Sequence, residues 1–213
     1  MEIEHGYEAL PNRSLDLDWT QADEPIARLL SRLGSPPVIA LVGIAVIATV
    51  IGNSNGWLWA LAYLILAVPL PTLYVLWKVQ RGEITDFDIR VREQRIKPYV
   101  LILICTAGAL LLMIVGRAPG LMIVVAAAGW VQTAILFSVT LWWKISAHCT
   151  AMASLAVLAL GTIGVAAWPL MLGLPLVAWS RVRLRRHTVM QTIAGSILGL
   201  LISTAALGLY RPG

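Results

Sequence analysis

No aspartate follows Asp88, and histidine occurs only three times in 213 residues. Enzymes that hold magnesium on spaced aspartates, as prenyl and alcohol-phosphate transferases do, need more carboxylates than Asp86 and Asp88 provide, so no metal site and no cofactor is expected. Charge of either sign is scarce as well. Asp, Glu, Lys and Arg make up 13% of the chain, about half the share of a soluble domain. With a mean hydropathy of +0.81, that scarcity excludes an ordinary soluble globule and implies an integral membrane protein. Cysteine is limited to Cys105 and Cys149, in or beside apolar segments, where packed thiols are expected rather than a disulfide. No cleavable signal is expected, because Glu2, Glu4, Glu8, Asp16 and Asp18 stand where a basic segment and an apolar run would be. There is no internal repeat.

What is present is long apolar sequence. Segments at about 37–52, 56–78, 98–116, 119–143, 149–163, 165–180 and 188–209 predict an all-α, polytopic transmembrane helical bundle of six or seven spans. Length leaves room for a single membrane-embedded domain over residues 1–213. Residues 1–36 form its N-terminal segment. There Asp23-Glu24-Pro25 starts a short helix that places Ile26, Leu29, Leu30 and Leu33 on one face before Gly34 and Pro36-Pro37 end it. Such an amphipathic helix is expected along the membrane interface. Pro69 and Pro71 predict a kink in the second span, and Gly161 to Gly164 offers a tight hairpin. Trp57, Trp59, Trp77, Trp142, Trp143, Trp168 and Trp179 lie near segment ends, as an interfacial aromatic belt would.

Polar chemistry is confined to three joints between apolar segments: Arg90-Val-Arg-Glu-Gln-Arg-Ile-Lys97-Pro98, Lys144-Ile-Ser146-Ala-His148, and Ser180-Arg181 through His187 to Gln191. Two spans separate each joint from the next, so all three fall on one membrane face and can form one composite anion site. Taken singly, each also reads as a basic interfacial turn. The net charge of +5 then points to anionic lipid or phosphate rather than nucleic acid, since the cations are held in short turns. By the positive-inside rule this face is cytoplasmic, although cations kept for catalysis would mimic that signal. In the third joint Gln191 lies one helical turn after His187, and Gly195 and Gly199 continue the stripe. Gln191 can fix the His187 tautomer and leave Nε2 to attack an electrophile. His148, at another helix start beside Lys144 and Ser146, suits a general acid.

In this order the joints resemble the type 2 phosphatidic acid phosphatase family, whose pattern is Lys-x6-Arg-Pro, Pro-Ser-Gly-His and Ser-Arg-x5-His-x3-Asp. Ser180-Arg181-x5-His187 matches the third element, Ile145-Ser146-Ala147-His148 partly matches the second, and Arg90-x6-Lys97-Pro98 carries the first with its cations exchanged. The resemblance implies a metal-independent lipid phosphatase acting on isoprenoid (di)phosphates or phosphatidate-like lipids. His187 would be the nucleophile and His148 the acid, with Arg90, Lys97, Lys144, Ser146, Ser180 and Arg181 around the phosphoryl group. Gln191 replaces the family aspartate, so Asp86, Asp88 or Glu93 is a candidate source of the missing charge. A phosphotransferase using the same intermediate and a catalytically silent protein binding or transporting an anionic lipid are the alternative readings. The oligomeric state is not legible.

Overall fold

The computed structural model describes residues 23–87, 89 and 91–210. Among them the secondary structure is helical throughout, with no strand: α1 (Glu24–Leu33), α2 (Pro36–Ile51), α3 (Ser54–Ala67), α4 (Pro69–Gln80), α5 (Ile96–Val115), α6 (Gly120–Thr140), α7 (Ala147–Ile163), α8 (Pro169–Arg183) and α9 (Val189–Leu209). Local chemistry sets the ends. Proline opens α1, α2, α4 and α8, where its missing N–H has no partner to lose. Asn53 Oδ1 accepts the Gly56 N–H at 2.8 Å to cap α3. Thr188 and Gln191 form a reciprocal capping box at the start of α9. The expected proline break falls at Val68, between α3 and α4. Gly164, at φ +82°, turns the chain after α7, making the anticipated hairpin.

Five helical stretches are long and apolar enough to cross a membrane: Ser54–Gln80, Glu93–Val115, Gly120–Thr140, Val165–Arg183 and Val189–Leu209. Helices α1 and α2 together form a sixth candidate, bent by 47°. Large apolar side chains such as Leu61, Ile104, Leu111 and Leu201 face outward, as lipid contact requires and water would penalise. These helices fit an integral membrane protein. Trp57, Trp77, Trp142, Trp143, Trp168 and Trp179 are exposed near helix ends. Lys78 and Arg81 sit over the Trp77 ring at 4.6 and 4.2 Å.

Helix α7, with 17 residues, is shorter than any of the five spanning stretches. It is also the most enclosed, burying His148, Cys149, Thr150, Met152, Ala153, Leu155, Ala156, Leu158 and Ala159. A helix covered by protein on nearly all sides need not match the lipid thickness. Its closest neighbour is α9, and glycine is the reason. A Cβ on Gly195 would lie 2.5 Å from Ser146 O, and one on Gly199 would lie 2.2 Å from Thr150 O. The glycine stripe therefore brings the two histidine-bearing elements into backbone contact. Cys105 and Cys149 are both free thiols.

Candidate functional site

Three long-range bonds gather the polar joints at one end of the bundle. Arg92 Nη1 donates to Trp142 O at 2.9 Å, tying the first joint to the second. Arg186 Nη1 meets Asp86 Oδ2 at 3.0 Å, tying the third to the first. The Ser146 N–H donates to Gln191 O at 3.1 Å, tying the second to the third. Convergence of the three joints, expected from span parity, is thus observed among the described residues. Arg90 lies outside those residues, as does Asp88.

His187 sits in the turn between α8 and α9 and is 6% exposed. Its Nδ1 is 3.1 Å from Gln191 Oε1, which also accepts the Thr188 backbone N–H at 3.2 Å. A backbone N–H can only donate, so the Gln191 atom facing both groups is the oxygen. His187 Nδ1 must then carry the proton in this hydrogen bond. In the neutral ring the lone pair resides on Nε2. That nitrogen is buried and has no hydrogen-bond partner.

Burial is the main reason the imidazole stays neutral, and the positive charges of Arg95, Arg181 and Lys144 add to it. Together they push the His187 pKa from its ordinary 6.5 down to about 2, against a smaller upward effect of Gln191. The consequence for stability has a definite sign. An unfolded chain takes up a proton as pH falls through 6.5, whereas the folded imidazole resists it down to about 2. Stability is therefore fully present above pH 6.5 and declines progressively as pH falls toward 2. Thermal unfolding of the anion-free protein in detergent should show a midpoint that drops from pH 7 to pH 5. The drop should be smaller in His187→Asn, whose amide keeps the bond to Gln191 without a titrating ring. The same pH slope in both proteins would contradict a buried neutral imidazole.

His148 and His187 line one cavity of about 360 Å³, and Arg95 lines it with them. Arg95 is 6% exposed, and its Nε donates to Ile89 O at 2.8 Å. Arg181, 1% exposed, stands behind His148, with Nη1 3.4 Å from His148 Nε2. Two imidazoles and the Arg95 guanidinium therefore line one hollow, with Arg181 against His148. This arrangement can receive a phosphoryl group. No family model, curated protein or solved structure matches this chain. The chemistry must accordingly be read from the residues themselves.

The structure moves several expected ligands away from the hollow. Lys97 is exposed, and its charge acts on the Glu83 carboxyl, which Lys78 chiefly holds below its usual range. Arg95, which the sequence pattern did not single out, occupies the buried position. Ser146 is fully buried as the cap of α7, accepting the Cys149 N–H at 3.4 Å. The Ser180 hydroxyl donates to Val177 O at 2.7 Å within its own helix. Both serines hold the scaffold in this structure. Asp86 is paired with Arg186, and Glu93 with Arg92 at 3.1 Å; neither is bonded to His187. Lys144 is half-buried and contributes charge to His187. Among the described residues no three His, Cys, Asp or Glu side chains group as metal ligands would.

Proposed function

We propose that this protein is an integral-membrane lipid phosphatase that releases phosphate through a phosphohistidine on His187, without a metal ion. The observation that carries the reading is the cavity itself. It is lined by His187, His148 and Arg95 together with mostly apolar side chains, including Ile39, Ile44, Ile102, Leu136, Leu155 and Leu158, and His187 Nε2 has no hydrogen-bond partner. A polar head continuous with an apolar body is the shape of a lipid phosphate. Isoprenoid phosphates or diphosphates and phosphatidate-type lipids are the proposed substrates.

The mechanism follows from the two rings. The Nε2 lone pair of His187 attacks phosphorus, forming an N–P bond as the ester or anhydride P–O bond breaks. His148, in its protonated form, donates a proton to the leaving oxygen. Arg95, together with the charges of Arg181 and Lys144, offsets the charge on the phosphoryl oxygens. Water, deprotonated by His148, then cleaves the N–P bond and returns His187 to its starting state. Gln191 holds Nδ1–H throughout. Its neutral carbonyl orients the ring and stabilises ring charge less than a carboxylate does.

In this reading α2 and α7 complete a seven-span bundle and α1 rests in the interface, with the site end facing the cytoplasm as the Lys78, Arg81 and Arg92 end. The direct test is a phosphate-release screen in EDTA over polyprenyl phosphates, polyprenyl diphosphates and phosphatidate. Turnover of at least one supports the proposal. Binding without turnover that survives both His148→Ala and His187→Ala would return the protein to a lipid-binding or transport role.

The apolar walls make a separate prediction. Gly129 lines the cavity, and a Cβ there meets only the Tyr63 hydroxyl, at 4.0 Å. Gly129→Leu should project into the space of the tail and lower kcat/KM for a long-chain lipid phosphate roughly ten- to hundredfold. Hydrolysis of a short soluble ester such as p-nitrophenyl phosphate should be unaffected. Equal losses on both substrates, or none on either, would contradict a tail bound inside the bundle.

A further inference from the structure

Helix α1 docks on the bundle through its small residues. Its large apolar residues Ile26, Leu29 and Leu33 are all more than half exposed. The face turned to the protein is instead made of small residues: Ala27 and Ser31 are buried, and a Cβ on Gly34 would lie 2.5 Å from Val177 Cγ2 of α8. Spacing of four and three residues puts Ala27, Ser31 and Gly34 on one stripe. Where a small residue is expected only to permit close approach, Ser31 does more. Its hydroxyl accepts a hydrogen bond from Arg181 Nη1, 150 residues later in the chain. The same Nη1 lies 3.4 Å from His148 Nε2. Asp23, just before α1, ties the helix to the next arginine, pairing with Arg183 at 2.7 Å.

We propose that Ser31 is a positioning residue for the anion site, fixing the Arg181 guanidinium against His148 from a helix that carries none of the reacting groups. The physical case rests on burial and flexibility. An arginine has several rotatable bonds, and holding its head against His148 costs entropy unless partners restrain it. Ser31, 5% exposed, provides a restraint in a place where water cannot substitute for it. Removing the hydroxyl should leave Arg181 charged and present but less well aimed. The loss should then fall on anion affinity rather than on the chemical step.

The inference rests on the phosphatase reading, and the experiment separates the two. The full chain in detergent is assayed for lipid-phosphate turnover and for competitive inhibition by inorganic phosphate, in wild type, Ser31→Ala, Ser31→Thr and Asp23→Asn. Loss of one buried hydrogen bond predicts that Ser31→Ala raises the phosphate inhibition constant and KM by about fivefold, with kcat nearly unchanged. Ser31→Thr keeps the hydroxyl and should restore both values. Asp23→Asn loosens the other tether of α1 without touching Arg181 and should leave both values as in wild type. Unchanged constants in Ser31→Ala would overturn the positioning role. So would equal losses in Ser31→Ala and Asp23→Asn, which would mean that helix docking alone matters. Wild-type protein that neither turns over a lipid phosphate nor is inhibited by phosphate would instead defeat the phosphatase reading itself.

Discussion

In His187→Ala, phosphate release from a lipid phosphate is expected to fall by about four orders of magnitude or more, because the proposed mechanism forms its covalent intermediate on this ring. The expectation comes from the position of one atom. Gln191 Oε1, identified as oxygen by the Thr188 N–H it accepts, holds the proton of His187 on Nδ1. The opposite nitrogen is left buried and without a hydrogen-bond partner. A buried acceptor with no partner is costly to keep and rarely found without a reason. His187 itself lines the hollow shared with His148 and Arg95. Phosphate release is measured in EDTA, alongside thermal unfolding of the same preparation. Undiminished release from a folded variant would remove His187 from the mechanism.

His148→Ala is the second large effect, and it depends on the substrate. Loss of a general acid costs about a hundred- to ten-thousandfold when the leaving group is a poor one such as an alkyl alcohol. An aryl phosphate or a diphosphate, whose leaving oxygen needs less help, should lose far less in the first step. The second step still needs His148 to activate water, so the variant should accumulate phosphohistidine with these substrates. Pre-steady-state quench experiments check both halves: a burst of leaving group followed by slow release of phosphate. Identical losses on alkyl and aryl substrates, with no burst, would assign His148 a purely structural place.

Much of this was legible in the chain because helical periodicity is a strong signal on an apolar background. The stripe His187, Gln191, Gly195, Gly199 specified a helix, a tautomer and a close neighbour, and α9 shows all three. Span parity put the three joints on one face, and Arg92, Arg186 and Ser146 bind them together there. The first joint was misread for a reason of phase. A short turn over Glu93–Arg95 precedes α5, and two residues along a helix rotate a side chain by about 200°. Arg95 therefore enters the hollow while Lys97 points outward. Spacing to Pro98 cannot reveal that rotation. Ser146 and Ser180 looked like phosphate ligands because hydroxyls beside cations suit anions. Local backbone groups claimed them first, through an N-cap and a bond to Val177 O. The cavity was not legible at all. It is assembled from side chains scattered between Ser35 and Ser203, each of which alone reads as ordinary apolar helix.

The most direct measurement is to quench the protein during turnover of a lipid diphosphate radiolabelled on its terminal phosphate and map any phosphate bound to it, using His148→Ala to prolong its lifetime. The account predicts label that is stable in base, lost in acid, and confined to the peptide containing His187. Protein that turns substrate over without ever carrying label, or that carries it on a different residue, would contradict it.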